Sequence, residues 1–232
     1  MRSPDQPSKS TLRLALLASA IVVTGCGADP TPTKFTTGGA DIPAEPGKTN
    51  AWKFDDAKPG AVPPDFIGVL GDWQVSADGS APSGPNLFRQ AGSFESPDFP
   101  RIIVKDLTFT DLTVRVRCRP ESGDEDQACG LMFRLEDSEN YYVTRANALE
   151  DNVRLYHVVD GDREEFASAD ITVKPDAWHT LEATAHGRSF TVSWDGKKVI
   201  DASDSTFARG KIGLWTKADS VTAFDDLEAT AE

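Results

Sequence analysis

The amino-acid sequence predicts an all-β fold in which two antiparallel sheets pack face to face. From Trp52 onward, short runs rich in β-branched and aromatic residues alternate with turn signals. Asp195-Gly196 lies between two alternating runs, which is the strongest short-range signal for a β-hairpin. No window shows a sustained helical period. The clearest strand-like runs are TVRVRCR, GLMFRL, YYVTRA, NVRLYHVV, HTLEATA, SFTVSW, KKVIDA, KIGLW and VTAFDDLEA.

Residues 1–25 are predicted to be a lipoprotein signal peptide that is not part of this fold. Basic residues precede the apolar run LALLASAIVV, which is too short to span a bilayer as a helix. The run ends in Val23-Thr24-Gly25-Cys26, which resembles the lipobox of bacterial lipoproteins. That resemblance implies cleavage before Cys26 and acylation of this cysteine, which would anchor the protein stably. The alternative is an ordinary secretory peptide followed by a chance cysteine.

Residues 26–50 are predicted to be the lipidated cysteine and a flexible tether. Residues 27–50 hold four prolines and four glycines and little apolar content, a composition typical of linkers. The β-sandwich domain is then expected to occupy residues 51–232. A lipid-anchored exported protein of this kind is expected in the cell envelope of a Gram-negative-type bacterium, on the periplasmic face or at the outer membrane.

The chain is strongly acidic, with a formal net charge of −13 at pH 7. Such a protein repels nucleic acid and anionic lipid headgroups. We therefore expect no nucleic-acid partner, and contact with the membrane through the lipid alone.

Cys118 and Cys129 are predicted to form a disulfide, because exported proteins fold in an oxidising compartment. Each cysteine alternates in phase with the apolar residues of its own strand-like run. The alternative is two buried free thiols, whereas a zinc site is disfavoured because no further His or Cys accompanies the pair. The run that contains the second cysteine places four side chains on one face: Cys129, Leu131, Phe133 and Leu135.

The second half of the chain resembles a known bacterial family. The string NYYVTRANALEDNVRLYHVVDGDREEFASA and the later WHTLEATAHGRSFTVSWDGKKVIDASDSTFARGKIGLWTKADSVTAFDDL are similar to the domain also labelled 3-keto-disaccharide hydrolase. That family is related to the laminin-G and concanavalin-A-like sandwiches. The resemblance implies a two-sheet antiparallel jelly-roll sandwich of the concanavalin-A/laminin-G type. It also implies that the first strand (WKFD) pairs with the C-terminal strand VTAFDDLEA.

No catalytic residue can be nominated from the sequence. Sandwich glycosidases usually carry their carboxylates on one strand as Glu-x-Asp-x-x-Glu, and this chain has no such string. Hydrolysis of 3-keto sugars by elimination next to the ketone would need only a base or a metal. The spacing of the three histidines indicates no Ser-His-Asp grouping.

The acidic residues between the two cysteines have two interpretations. They are a solvated loop or, because hard cations favour carboxylate oxygens, a weak calcium site. We predict no metal and no cofactor. In the C-terminal strand, the carboxylate of Asp225 is expected to cap buried backbone groups. The residues of the loop are Glu121, Asp124, Glu125 and Asp126.

Arginines and tyrosines in the middle of the chain suggest a carbohydrate-binding groove, because guanidinium groups bind vicinal hydroxyls and aromatic rings stack on sugars. The alternative is cross-strand Arg–Glu pairing on a wet sheet face. Tyr142 and Arg145 have opposite strand parity, so they share a face only if a bulge intervenes. Core packing is expected for Trp73 and Trp215, with the groove as the alternative. The candidate groove residues are Arg134, Tyr142, Arg145, Asn147, Arg154, Tyr156 and Lys217.

The sequence therefore predicts a lipid-anchored domain that binds carbohydrate in the groove of its concave sheet. The first alternative is a hydrolase acting on 3-keto-disaccharides or related glycosides. The second alternative is a structural or protein-interaction module of the cell envelope.

Overall fold

A computed structural model describes residues 41–232 of the chain. The predicted signal peptide, the lipidation site Cys26 and residues 27–40 of the predicted tether lie outside the described residues. The described part is built from β-strands, as predicted, and none of it is a helix able to span a membrane.

Most of the strands belong to two large antiparallel sheets. One has seven strands in the order β12 (Asp162–Asp170), β11 (Asn152–Val159), β10 (Asn140–Asn147), β9 (Ala128–Asp137), β16 (Lys211–Trp215), β6 (Arg101–Val104) and β3 (Phe66–Leu70). The other has the order β15 (Lys197–Ser203), β14 (Ser189–Trp194), β13 (His179–His186), β8 (Leu112–Ser122), β17 (Val221–Ala231), β5 (Asn86–Gln90) and β4 (Trp73–Ala77). An eighth strand, β2 (Thr49–Trp52), pairs with β17 beside β5.

The main core lies between the two sheets. Apolar side chains at alternate positions of β8, β13 and β17 pack against those of β9, β10 and β11. The predicted disulfide between Cys118 of β8 and Cys129 of β9 is confirmed, with 6.3 Å between the Cα atoms. Because these strands belong to different sheets, the disulfide joins the two sheets through the core.

The boundary of the sandwich lies earlier in the chain than predicted. β1 (Ile42–Pro43) pairs in parallel with β7 (Leu107–Thr108), and the strand β2 begins at Thr49 rather than near residue 52. The N–H of Ile42 donates to the carbonyl of Asp106 at 2.7 Å. Residues 42–43 and 49–50, assigned to the tether from their composition, therefore belong to strands. The predicted pairing of the first strand with the C-terminal strand is confirmed for β2 and β17.

The two large sheets differ in how much of their outer faces is exposed to solvent. The outward residues of β8 are partly or fully exposed, as antiparallel sheets with one wet face usually show. All five residues of β16 and seven of the eight in β10 are buried, so side chains on both faces of these strands are largely withdrawn from water. Its outer face carries a second apolar cluster formed by Ile103, Ala128, Met132, Leu135, Tyr141, Val143, Tyr156, Val158 and Trp215. This outer face positions the site described next.

Candidate functional site

Alternation along β10 sorts its side chains between the two faces of the seven-stranded sheet. Tyr142 and Ala146 lie in the main core, and Tyr141 and Val143 lie in the outer cluster. Arg145, two residues further along, shares the parity of the outer pair. Register then places the outward residues of the neighbouring strands beside them: Met132 opposite Val143, Gly130 opposite Arg145, and Trp215 opposite Gly130.

Aromatic rings and a guanidinium group meet at the centre of the outer face. The rings of Trp215 and Phe99 stack with centroids 5.2 Å apart. The guanidinium carbon of Arg163 lies 4.5 Å from the ring centroid of Tyr156, 4.7 Å from that of Phe99 and 5.6 Å from that of Trp215. β12 and β16 are four strand spacings apart, roughly 19 Å. Arg163 and Trp215 therefore extend toward each other across the width of this face.

Gly130 makes room for the indole ring of Trp215. A Cβ atom at position 130 would lie 2.9 Å from the Cε3 atom and 2.9 Å from the carbonyl oxygen of Trp215. The absence of a side chain at Gly130 thus lets the indole lie close against β9.

Arg145 is at the centre of a polar network on the same face. Its side chain is 2 % exposed and donates to the Asn152 amide oxygen, to Glu150 Oε2 at 2.7 Å and to the Tyr156 hydroxyl at 3.2 Å. Burial alone would raise the pKa of Glu150, but Arg145, together with the Asn152 amide and Arg154, outweighs it and the pKa is lowered. Glu150 is therefore ionised at neutral pH.

A second polar group lies where β9 begins. Asp126 is fully buried and accepts from Lys217 Nζ at 2.5 Å and from Asn147 Nδ2 at 2.8 Å. Burial raises the pKa of Asp126, and the hydrogen bond from Lys217 opposes this only in part. The pair combines a carboxylate of increased basicity with an ammonium group, which is a combination suited to moving a proton.

Several donors on this face have no hydrogen-bond partner among residues 41–232. A buried donor without an acceptor costs about 1–3 kcal/mol, so such groups are rare in folded proteins. Four of them at one surface indicate a place where a ligand that accepts hydrogen bonds can be held. They are Arg101 Nε, Arg145 Nε, Arg163 Nη1 and Trp215 Nε1.

Two predicted groove residues, Tyr142 and Arg134, point away from the outer face. The Tyr142 ring packs in the main core 4.8 Å from that of Phe190, and its hydroxyl donates to Asp204 Oδ1 at 2.5 Å. Burial raises the pKa of Tyr142 to about 12. Arg134 is 1 % exposed and ties together three loops rather than lining the outer face. Its guanidinium donates to the carbonyls of Thr110, Gly187 and Phe207 and to Asp111.

The physical reason for the error at Arg134 is a break in the alternation of β9. Arg134 adopts a left-handed backbone conformation (φ 47°), and the pairing with β16 shifts register at Leu135. Leu135 consequently packs in the outer cluster instead of joining Phe133 in the main core, as parity predicted. The Arg134 side chain is turned inward.

Arg154 lies at the rim of the outer face. Its side chain is 36 % exposed and pairs with Glu165 at 3.0 Å and with Glu150 at 3.6 Å. The cross-strand Arg–Glu pairing that was the alternative for the groove arginines is thus found at this position. The structure brings together four predicted groove residues, Arg145, Asn147, Tyr156 and Lys217.

Several members of the cluster are not predicted from the sequence. Tyr141 could have been found, because it has the same parity on its strand as Arg145. The position of Arg101 and Phe99 depends on which strand pairs with β16, and no local pattern gives that pairing. The full set of missed residues is Phe99, Arg101, Asp126, Tyr141, Glu150 and Arg163.

The backbone of the acidic loop closed by the disulfide is held by the carboxylate of Asp219. Asp219 accepts the backbone N–H groups of Asp124 at 2.6 Å, Glu125 at 3.1 Å and Asp126 at 3.0 Å. Burial opposes ionisation, but these N–H donors lower the pKa of Asp219. No group of three or more His, Cys, Asp or Glu side chains within residues 41–232 is arranged to hold a metal ion. As expected, the Asp225 carboxylate caps backbone, accepting from the Ser83 N–H at 2.9 Å.

The outer face of the other sheet also holds a polar cavity, of about 330 Å³. It opens where a bulge in β17 interrupts the pairing with β8. Lys53, Arg115, Arg117, Asp226 and Glu228 line it. Arg115 is half exposed and pairs with Glu228 at 2.7 Å. The cavity is thus a solvated charge network without the aromatic rings of the first site.

Comparison with known proteins gives related sequences and folds. The family model described as "3-keto-alpha-glucoside-1,2-lyase-like domain" matches residues 49–230. The levanase of Bacillus subtilis (strain 168) is 28 % identical over 113 residues, which are 48 % of this chain and 17 % of the levanase. The chain therefore corresponds to a small part of that enzyme.

Solved structures share the sandwich. The carbohydrate-binding module CBM66 from Bacillus subtilis superposes with a TM-score of 0.62 and 23 % identity, covering 72 % of this chain and 96 % of the module. A Bacillus subtilis protein of unknown function with a galectin-like fold gives a TM-score of 0.54 and 14 % identity, covering 71 % of this chain and 87 % of that protein. At these identities the likeness concerns the fold, a jelly-roll sandwich as predicted.

Proposed function

This chain belongs to the family of 3-keto-alpha-glucoside-1,2-lyase-like domains, and we propose that it binds carbohydrate on the outer face of its seven-stranded sheet. The carbohydrate-binding module and the levanase to which it is similar support a glycan as the partner. Those similarities do not indicate which surface binds, and that part of the proposal depends on the geometry of the site.

The observation that carries the proposal is the combination of aromatic rings and unpartnered donors on one face. The rings of Trp215, Phe99 and Tyr156 surround a single guanidinium group within 6 Å. Sugar rings present apolar C–H faces and a rim of hydroxyl oxygens. Aromatic rings pack against the C–H faces, and N–H groups such as Trp215 Nε1 donate hydrogen bonds to the hydroxyl oxygens.

Calorimetric titration with a panel of oligosaccharides, including fructans and glucans, tests this function. Trp215→Leu removes the central ring and its N–H donor, so we expect binding to weaken about tenfold or more. Trp178→Leu is the matched control, because the Trp178 ring contacts Arg119 on the other sheet, 5.1 Å from its guanidinium carbon. Equal loss of affinity in both variants, or no loss in either, would remove the outer face as the binding surface.

Lipid anchoring at Cys26 remains part of the proposed function. The support for it is the lipobox-like string Val23-Thr24-Gly25-Cys26 after an apolar run. Expression in a Gram-negative host with labelled palmitate should label the protein and place it in the membrane fraction. Cys26→Ser should abolish the label and release the protein into the periplasm. A labelled Cys26→Ser variant, or unlabelled wild-type protein, would contradict the anchor.

A second candidate function is elimination on a 3-keto glycoside, which the family description favours. A base removes the proton at C2, the electron pair forms the C1–C2 double bond, and the C1–O bond breaks as the leaving oxygen takes a proton. Asp126 with Lys217 is the acid–base pair that this face offers. Cationic groups nearby, such as Arg145, would stabilise the negative charge on the C3 oxygen of the enolate.

Incubation with 3-keto-trehalose, followed by chromatography for the unsaturated keto sugar, tests the lyase. Asp126→Asn should lower the rate at least a hundredfold, since general base catalysis contributes roughly 10²–10⁴-fold. Asp225→Asn is the control, because Asp225 is equally buried but caps Ser83 away from this face. Absence of product at high protein concentration would remove the lyase and leave the binding function.

A further inference from the structure

The outer face carries more positive than negative charge, although the whole chain has a formal net charge of −13. Two carboxylates on the face are already paired: Asp126 with Lys217 at 2.5 Å and Glu150 with Arg145 at 2.7 Å. Arg101 and Arg163 remain, and no carboxylate of residues 41–232 lies within 4 Å of either guanidinium. The face therefore holds two cations that this part of the chain does not neutralise.

Arg101 is buried, and Arg163 is partly exposed with one guanidinium nitrogen out of contact with water. Arg101 is 8 % exposed, and its guanidinium donates to the Tyr141 hydroxyl at 3.1 Å while its Nε has no acceptor among the described residues. Arg163 contacts three aromatic rings, and its Nη1 is buried without an acceptor in the same part of the chain. Burial lowers the pKa of Arg163, as expected for a charge that lacks a close counter-ion. A buried, unpaired charge is costly and is usually retained for a function.

The unpartnered groups around these two arginines are N–H donors. The indole of Trp215, which lies opposite Arg101 in the pairing of β16 with β6, adds a third. A sugar hydroxyl both donates and accepts, so it is best held where donors and acceptors are mixed. A carboxylate or sulfate only accepts, and the planar guanidinium fork matches the geometry of two oxygens at once.

We propose that the carbohydrate held on the outer face carries an anionic group, a uronate carboxylate or a sulfate ester, which is bound by Arg101 and Arg163 beside Trp215. This inference rests on the proposed carbohydrate binding and adds the chemical class of the ligand. The local guanidinium groups, rather than the field of the acidic protein, hold the anion.

The test is calorimetric titration of the full chain with matched charged and neutral glycans. The probes are an α-1,4-linked hexagalacturonate, its methyl-esterified form, dextran sulfate and dextran. We expect hexagalacturonate to bind at least tenfold more tightly than its methyl ester, or dextran sulfate at least tenfold more tightly than dextran. The first result identifies a carboxylate as the anion, and the second identifies a sulfate ester.

Variants connect that preference to the two arginines. Arg163→Gln or Arg101→Gln should weaken binding of the charged glycan roughly tenfold to a hundredfold, because a hydrogen-bonded charge is lost. Binding of the neutral glycan should change less than threefold. Arg163→Lys keeps the positive charge but lacks the planar guanidinium fork, so its affinity for the charged glycan should lie between those of the wild type and Arg163→Gln. Arg115→Gln, on the other sheet and half exposed, is the matched control and should leave both affinities unchanged.

The outcomes separate this inference from the proposed function. Equal affinity for charged and neutral glycans overturns the anionic ligand and leaves carbohydrate binding in place. A preference for charge that survives both Arg101→Gln and Arg163→Gln in folded protein overturns the assignment to these residues. Binding of no glycan, charged or neutral, removes the proposed function and this inference with it.

Discussion

Replacement of Arg134 by methionine tests whether this arginine has a structural role. Its guanidinium donates to the Thr110 carbonyl at 2.7 Å, to the Gly187 carbonyl at 2.8 Å and to Asp111 at 3.1 Å. These bonds tie the segment before β8 to the turn between β13 and β14. Methionine has a similar length and keeps the contact with Phe190, but it removes every one of these donors.

The expected cost follows from removing the buried arginine of a partly buried ion pair, with about 3–5 kcal/mol as the range for a fully buried pair. In the variant, Asp111 still accepts the hydrogen bond from the Gly187 N–H, which is 2.8 Å long, and this favours the lower end of that range. A loss of about 3 kcal/mol is a large part of the 5–15 kcal/mol typical of a domain. It corresponds to a fall of roughly 6–12 °C in Tm for a domain of this size.

Urea and thermal unfolding followed by circular dichroism measure this loss. Arg154→Met is the matched control, because that arginine is partly exposed and forms rim ion pairs worth about 0–1 kcal/mol. The glycan affinity of folded Arg134→Met should equal that of the wild type. A variant with wild-type stability and lost glycan binding would refute the structural role of Arg134.

Two further predictions concern stability. Replacing Cys118 and Cys129 together by alanine should lower the free energy of unfolding by about 3 kcal/mol, because the closed loop is short; an unchanged urea midpoint would contradict this. The pKa of Asp78 is lowered, mainly by the backbone N–H of Ser80, so its ionised form stabilises the fold above the usual aspartate range. Asp78→Asn should therefore lower Tm at pH 7, and the difference should shrink steadily as the solution is acidified from pH 4 toward pH 2, because the unfolded chain takes up the proton at a higher pH than the folded protein; a difference independent of pH would contradict that origin.

Strand alternation predicts the facing of side chains correctly wherever it is unbroken. The phase of Cys118 and Cys129 with their apolar neighbours predicted the disulfide that the structure contains. Arg145 and Tyr156 are both candidates for the predicted groove, and their side chains are hydrogen-bonded at 3.2 Å. Periodicity is informative for β10 and β11 because these paired strands are neighbours in the sequence.

The errors have two physical causes. Alternation fails at Arg134, because one residue with a left-handed backbone reverses the facing of the side chains on either side of it. Most missing members of the site come from distant strands or loops: Arg101 and Phe99 reach the outer face only because β6 pairs with β16. Composition also misled the prediction for residues 42–43, where a parallel pairing with β7 orders a segment containing proline.

A crystal structure of the protein with its tightest-binding oligosaccharide tests the central claim most directly. We predict density for the glycan on the outer face of the seven-stranded sheet, against the rings of Trp215 and Tyr156, with its oxygens within hydrogen-bond distance of Arg163. Density confined to the face of the other sheet, at Arg115 and Arg117, would contradict the claim.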